Sequence, residues 1–302
     1  MRGVQFSFPS AALVLLVALA SLFWIGISAR ALESGENAPE PEEVQEETVD
    51  PLLSAERELT SGVIEPLVAP TISLHEFPDH QYIEVVDSCG ISYEGDCVLA
   101  RAGPSEEYKI INRLREGVVL KVSGRVEDSP YDWYEVVFEE SLRYPERVER
   151  KQYVAATPSV RHFYSNGVLD RSDIARATDK RILVDRSEQM LYAYEGDVLF
   201  MSTPISTGIQ LTPTPRGNFT IYKKTPTRYM QGPIPGISTK YYDLPGVPWN
   251  LYFTNEGGVI HGAYWHKSFG RPYSNGCVNL ALDDARKLYE WTEVGTKVHV
   301  RD

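Results

Sequence analysis

Val259–Leu280 reads VIHGAYWHKSFGRPYSNGCVNL, and no other stretch of the chain concentrates chemistry in this way. It holds His261, His266 and Cys277, three of the nine His and Cys residues present, so thiol and imidazole chemistry meet here. A metal centre needs three or four ligands in a fixed geometry. Two imidazoles, one thiol and no carboxylate make a poor set, and neither a metal nor a cofactor is expected. Cys277 has two readings. A cysteine is often a small buried residue and nothing more. Here, however, Ser274-Asn275-Gly276 precedes it and Val278 follows, a polar turn entering an apolar element. Such a turn exposes a thiol and aims backbone N–H groups at one point, lowering the thiol pKa from about 8.5 and stabilising an oxyanion. A nucleophilic thiol also needs a base, and His261, at the end of a predicted strand, is the candidate.

Outward from this segment, residues 180–302 alternate as a β domain. Arg181–Asp185, Gln189–Glu195, Val198–Ile205, Phe219–Tyr222, Trp249–Thr254 and Gly258–His261 are predicted strands. Thr212–Asn218 (TPTPRGN) is a rigid turn. Pro226–Pro248, rich in Gly, Pro and Tyr without a clean period, is expected to be a long loop of the kind that serves as a lid. Tyr229, Tyr241, Tyr242 and Trp249, in or beside it, either wall a cleft or pack the loop. Asp283 and Asp284 suit a helix N-terminus, with Ala285, Leu288, Tyr289 and Trp291 as its buried stripe.

The motif resembles the catalytic signature of the L,D-transpeptidase (YkuD-type) family: a His, a gap, then Ser/Thr-His-Gly-Cys, an apolar residue and Asn or Arg. His261 matches the first His; Ser274, Gly276, Cys277, Val278 and Asn279 match the second block. Val184-Asp185 with Gln189, Leu191 and Tyr192, the PTPRGNF turn and Asp283–Arg286 extend the match over about residues 179–301. The resemblance implies a mainly β catalytic domain, residues 178–302, with a short helix after the cysteine. It implies an exported enzyme that forms a Cys277 thioester with a peptidoglycan stem peptide and passes it to an acceptor amine. His261 would be the general base and the Gly262 carbonyl would orient its ring. Ser274, Asn275, Gly276, His266 and Asn279 would serve the oxyanion or the substrate. Carbapenems, which acylate this family's cysteine, are the implied inhibitors. The chain departs at Asn275, where the family's usual residue is His. Asn donates and accepts hydrogen bonds but carries no proton, and His266 is a second imidazole nearby. A catalytically weak or inactive peptidoglycan-binding protein is the alternative, and hydrolysis in place of transfer is a third outcome.

Cys97–Ala156 reads as short, turn-bounded strands, the pattern of a small barrel. The order R-x-G-P, Leu-x-x-Gly, Leu-x-Val-x-Gly-Arg, Trp-Tyr-x-Val and Tyr-Val-Ala-Ala resembles bacterial SH3-like domains over about residues 96–158. Residues 76–165 are assigned to that domain, as a wall-binding module or a spacer, and Ser141–Lys151 is a charged insert outside the pattern. Cys89 and Cys97 flank a Gly-containing loop suited to a disulfide in an oxidising compartment. His75, His80, His162 and His299 have no partner at useful spacing.

Residues 1–30 contain the apolar run Ala11–Ile27, a signal peptide or a membrane anchor. Residues 31–75 form a predicted disordered tether, with one base against eleven acids over 31–70. Most of the net charge of −12 sits there, while residues 71–302 hold 27 bases and 31 acids. Nothing in that distribution suits nucleic acid. The expected partners are therefore stem peptides outside the cytoplasm, with a membrane engaged only by the amino-terminal segment.

Overall fold

A computed structural model describes residues 74–302, apart from 77, 129, 139–141, 168, 171–178 and 256. The predicted signal or anchor, and all but the end of the predicted tether, lie outside the described residues. No helix among the described residues is long and apolar enough to cross a membrane.

β-Branched and aromatic residues, which fit a pleated half-buried surface, dominate the strands. The first eight are β1 (Leu74–Glu76), β2 (Gln81–Val85), β3 (Val98–Arg101), β4 (Ile110–Leu114), β5 (Val119–Val126), β6 (Trp133–Val137), β7 (Gln152–Ala155) and β8 (Val160–Tyr164). They form one sheet in the order β4-β3-β7-β6-β5-β2-β8, with β1 paired to β5. Cys89 and Cys97 are joined by a disulfide in the loop before β3. Pro145–Arg147, in the charged insert, is a single 3-10 turn.

The carboxy-terminal part builds two five-stranded sheets. Its strands are β9 (Leu169–Asp170), β10 (Lys180–Asp185), β11 (Met190–Glu195), β12 (Val198–Pro204), β13 (Gly217–Thr220), β14 (Lys223–Ile234), β15 (Ser238–Tyr252), β16 (Val259–Gly262), β17 (Val278–Leu280) and β18 (Lys297–Arg301). One sheet runs β12-β11-β10-β18-β13 and the other β17-β16-β15-β14-β9. Helix α1 (Leu282–Trp291) follows β17, with Asp283 and Asp284 in its first turn. There they face the positive end of the helix dipole. Ala285, Leu288 and Tyr289 are buried as the periodicity predicts, with Trp291 partly buried beside them.

The core lies between the two sheets and the helix. Ile182, Val184 and Leu191 from the first sheet meet Leu251, Ile260 and Val278 from the second, with Leu288 from α1. Burying each such side chain contributes roughly 1.5–3 kcal/mol relative to exposure. Tyr82 and Val119 of the amino-terminal sheet belong to the same cluster. Tyr82 stacks on Phe163, and Phe163 packs on Trp249. The two parts therefore share a continuous interior.

One expectation is overturned. Pro226–Pro248 is not a loop but most of a long antiparallel hairpin, β14 with β15, turning at residues 235–237. Proline cannot donate to a ladder, so it is tolerated where pairing is irregular or one-sided. The register shifts between Arg228 and Met230 and again between Gly232 and Ile234. Period-2 alternation is missing because the hairpin is covered from more than one side. Val247 belongs to a cluster with the amino-terminal sheet, whereas Tyr229 and Tyr242 line a cavity.

Candidate active site

β16 and β17 run parallel, with His261 opposite Asn279 in register. This places Cys277, the residue before β17, beside the end of β16. Both side chains line one cavity of about 810 Å³. Its walls come from the turn at 211–215, the β14–β15 hairpin, residues 257 and 258, the turn at 273–277, and Arg115, Leu142 and Arg143 of the amino-terminal part.

His261 is fully buried. Its Nδ1 lies 2.9 Å from the Gly262 carbonyl oxygen. A carbonyl only accepts, so Nδ1 carries the proton and Nε2 keeps its lone pair. That Nε2 is buried and has no hydrogen-bond partner among the described residues. Burial lowers the imidazole pKa to about 4, against the raising effect of the Gly262 bond, and the Arg228 and His266 charges lower it further. The Cys277 thiol is half-buried and lies 3.8 Å from the Gly257 carbonyl. Burial pushes its pKa up, partly opposed by the Arg228 charge and by the Val259 N–H. Both shifts favour a neutral thiol and a neutral imidazole over an ion pair.

The turn that presents Cys277 is tied down from below. The Ser274 hydroxyl donates to the Cys277 carbonyl at 2.5 Å and accepts from the Gly276 N–H at 3.1 Å. Thr214 Oγ1 donates to the Gly276 carbonyl and accepts from the Gly208 N–H, both at 2.9 Å. Gly276 has φ of 114°, a conformation that side chains with a Cβ avoid. A Cβ on Gly208 would lie 2.1 Å from the Thr212 carbonyl oxygen and 2.9 Å from the Gly276 Cα. The two turns therefore meet backbone to backbone, which only glycine permits there.

These bonds add structural roles to three residues singled out in the sequence. Ser274 and the Gly276 N–H are bonded to one another and to the Cys277 carbonyl within the turn, which holds Cys277 in place, while both residues also line the cavity. His266 is buried among the rings of Phe269, Tyr273 and Trp265 and is not a lining residue of the cavity. Its Nδ1 accepts from the Ser268 N–H at 3.0 Å, so its proton sits on Nε2, 2.9 Å from Asn279 Nδ2. Two donors cannot bond to each other, so this tautomer requires the Asn279 amide turned over, with its oxygen accepting from Nε2. Burial and the Arg271 charge lower the His266 pKa to about 4. Both ring nitrogens of His266 are thus engaged, one by Ser268 and one by Asn279. Ser274, Asn275, Gly276 and Asn279 all line the cavity.

Thr214, which braces the turn, and Arg228, whose charge acts on both His261 and Cys277, escaped the sequence reading. Thr214 lay inside the noted PTPRGNF turn, but its partner is 62 residues away. Arg228 sat in the segment expected to be loop. Of the four aromatic residues left open, Tyr229 and Tyr242 wall the cavity, and Trp249 is buried in the core. The exposed Tyr241 lies against the Arg147 guanidinium.

Several known proteins resemble this chain. The YkuD protein of Bacillus licheniformis, assigned as an L,D-transpeptidase only provisionally, is 30% identical over 123 residues, 40% of this chain and 64% of that one. The chain thus spans less than two thirds of that relative's length. The solved catalytic domain of the E. faecium L,D-transpeptidase is 25% identical, covering 42% of this chain and 100% of that one, with a TM-score of 0.36. An L,D-transpeptidase from Mycobacterium smegmatis is 21% identical over 57% of this chain and 92% of its own, with a TM-score of 0.39. Over residues 179–300, the part that carries His261 and Cys277, the chain matches the family model of the L,D-transpeptidase catalytic domain, YkuD.

Proposed function

We propose that this chain is an exported L,D-transpeptidase of the peptidoglycan, with Cys277 as nucleophile and His261 as base. The observation that carries the reading is the pairing, in one cavity, of a half-buried thiol with a buried imidazole whose free nitrogen is set by the Gly262 carbonyl. The family match over the same residues supports it.

In this mechanism the Cys277 sulfur attacks the carbonyl carbon of the third stem residue as its proton passes to His261 Nε2. The oxyanion forms beside the turn, where the Cys277 N–H is the donor left to meet it once the Gly276 N–H is bound to Ser274. Collapse breaks the C–N bond, and the imidazolium returns its proton to the departing D-alanine amine. The thioester is then attacked by an acceptor amine, which gives its proton to Nε2, and the thiol reforms. Asn275 and Asn279 orient the peptide through their amides. Residues 76–165 serve as an SH3-like domain, and residues 1–75 hold the enzyme outside the membrane.

The test is incubation of the protein with defined tetrapeptide stems and amine acceptors, followed by mass spectrometry of protein and products. The expected result is loss of D-alanine, a thioester mass on Cys277 and a crosslinked product. Turnover by Cys277→Ala, or a wild-type protein that binds stems without ever forming a thioester, overturns the reading.

A further inference from the structure

The cavity carries a charge pattern that the catalytic pair does not require. Its described lining residues include four cations, Arg115, Arg143, Arg228 and Lys240, and neither Asp nor Glu. Residues 71–302 as a whole hold 27 bases and 31 acids, so a lining with four cations and no acid departs from the near balance around it. None of the four belongs to the turn that carries Cys277. Arg228 and Lys240 stand on the β14–β15 hairpin, and Arg115 and Arg143 come from the amino-terminal part.

Those two are held in place. Arg115 is 9% exposed, its guanidinium 4.7 Å from the Tyr93 ring centroid and 4.8 Å from that of Tyr264, with Nη1 donating to the Ile91 carbonyl at 3.0 Å. Arg143 Nη1 donates to the Gln231 carbonyl at 3.1 Å. The insert carrying Arg143 is fastened to the hairpin nearby. The Tyr144 N–H donates to Gln231 Oε1, Tyr144 Oη to the Pro233 carbonyl and Arg147 Nη2 to the Gly232 carbonyl, each at 2.8 Å. A cleft lined by one sign of charge focuses its field and concentrates ions of the opposite sign.

Resting on the transpeptidase reading, we infer that this wall selects acyl-donor stem peptides whose carboxylates are free rather than amidated. The amino-terminal part supplies half of the cations that read them. A carboxylate accepts charged hydrogen bonds from guanidinium and ammonium groups, whereas a neutral amide of the same shape loses the charge term.

The experiment uses the full chain and matched tetrapeptide donors, one with all carboxylates free and one with the same carboxylates amidated. The expected ratio of kcat/KM, free acid over amide, is about tenfold, the scale of one charged hydrogen bond. Lys240→Gln, at an exposed position, and Arg143→Gln each lower that ratio toward one. KM for the free-acid donor alone rises with added salt. A protein that merely loosened on substitution would lose rate on both donors and keep the ratio. Equal kcat/KM for the two wild-type donors, or a ratio that neither variant moves, overturns the inference while leaving the transpeptidase reading intact. Failure to turn over any donor speaks against that reading instead.

Discussion

The sharpest consequence of the site is its behaviour in acid. An ordinary imidazole, with a pKa of about 6.5, loses its basic form about 25-fold between pH 7 and pH 5. Burial of His261 lowers its pKa to about 4, so most of the ring is still basic at pH 5. The Cys277 thiol is pushed up and stays protonated throughout that range, so it adds no acid-side change of its own. The rate of Cys277 acylation by a carbapenem should therefore fall by no more than about twofold from pH 7 to pH 5, a margin that covers a pKa as high as about 5. The assay is single-turnover acylation read as intact mass, with circular dichroism at each pH to confirm that the fold persists. His261→Ala should lower the rate by about two to four orders of magnitude at either pH. A fall of about 25-fold in a folded wild-type protein would refute the buried neutral base, and an unchanged rate in His261→Ala would remove His261 from the mechanism.

Other outcomes follow from the same geometry. Thr214→Val keeps the shape but leaves the buried Gly208 N–H without its acceptor, at a cost of about 1–3 kcal/mol. It should appear as a lowered thermal midpoint and slower acylation. Gly276→Ala forces a Cβ into a left-handed backbone with φ of 114°, a strain of about 1–2 kcal/mol with no side-chain clash to relieve. Acylation of that variant should slow by about tenfold while the protein still folds, measured by intact mass and thermal melting. Stability should also respond to acid. His261 and His266 stay neutral in the fold down to about pH 4, so the unfolded chain binds more protons below about 6.5. Stability then falls as pH drops from about 6.5 toward 4, by up to about 3 kcal/mol per ring, seen as a declining urea midpoint.

Much of this was legible in the sequence because periodicity and residue type act locally. The strands around His261, the helix with its acidic first turn and the polar turn before Cys277 all follow from neighbours in the chain. The hairpin did not, because β14 and β15 owe their form to pairing with each other and to what covers them, not to alternation. The insert at 141–151 reads as surplus charge in sequence. In the fold, Tyr144 and Arg147 spend that polarity on carbonyls of the hairpin more than 80 residues away. Ser274 and Thr214 were equally opaque. A hydroxyl beside a nucleophile suggests substrate contact, and only the partner atoms show that it braces the turn.

Asn275 raises the question of where proton transfer resides when the signature's second imidazole is missing. In the proposed mechanism His266 does not take it over, its Nδ1 being bonded to the Ser268 N–H and its Nε2 facing Asn279. Among the described residues lining the cavity, His261 is the one imidazole. Burial favours the neutral forms of both the His261 imidazole and the Cys277 thiol, the pair assigned as base and nucleophile in the proposed mechanism. In the proposed mechanism the thiol leaves the Gly257 carbonyl and passes its proton to Nε2 as a substrate carbonyl enters. In that arrangement the lone pair on Nε2, buried and without a partner, is the element that makes attack possible, and the Gly262 carbonyl is what keeps it there.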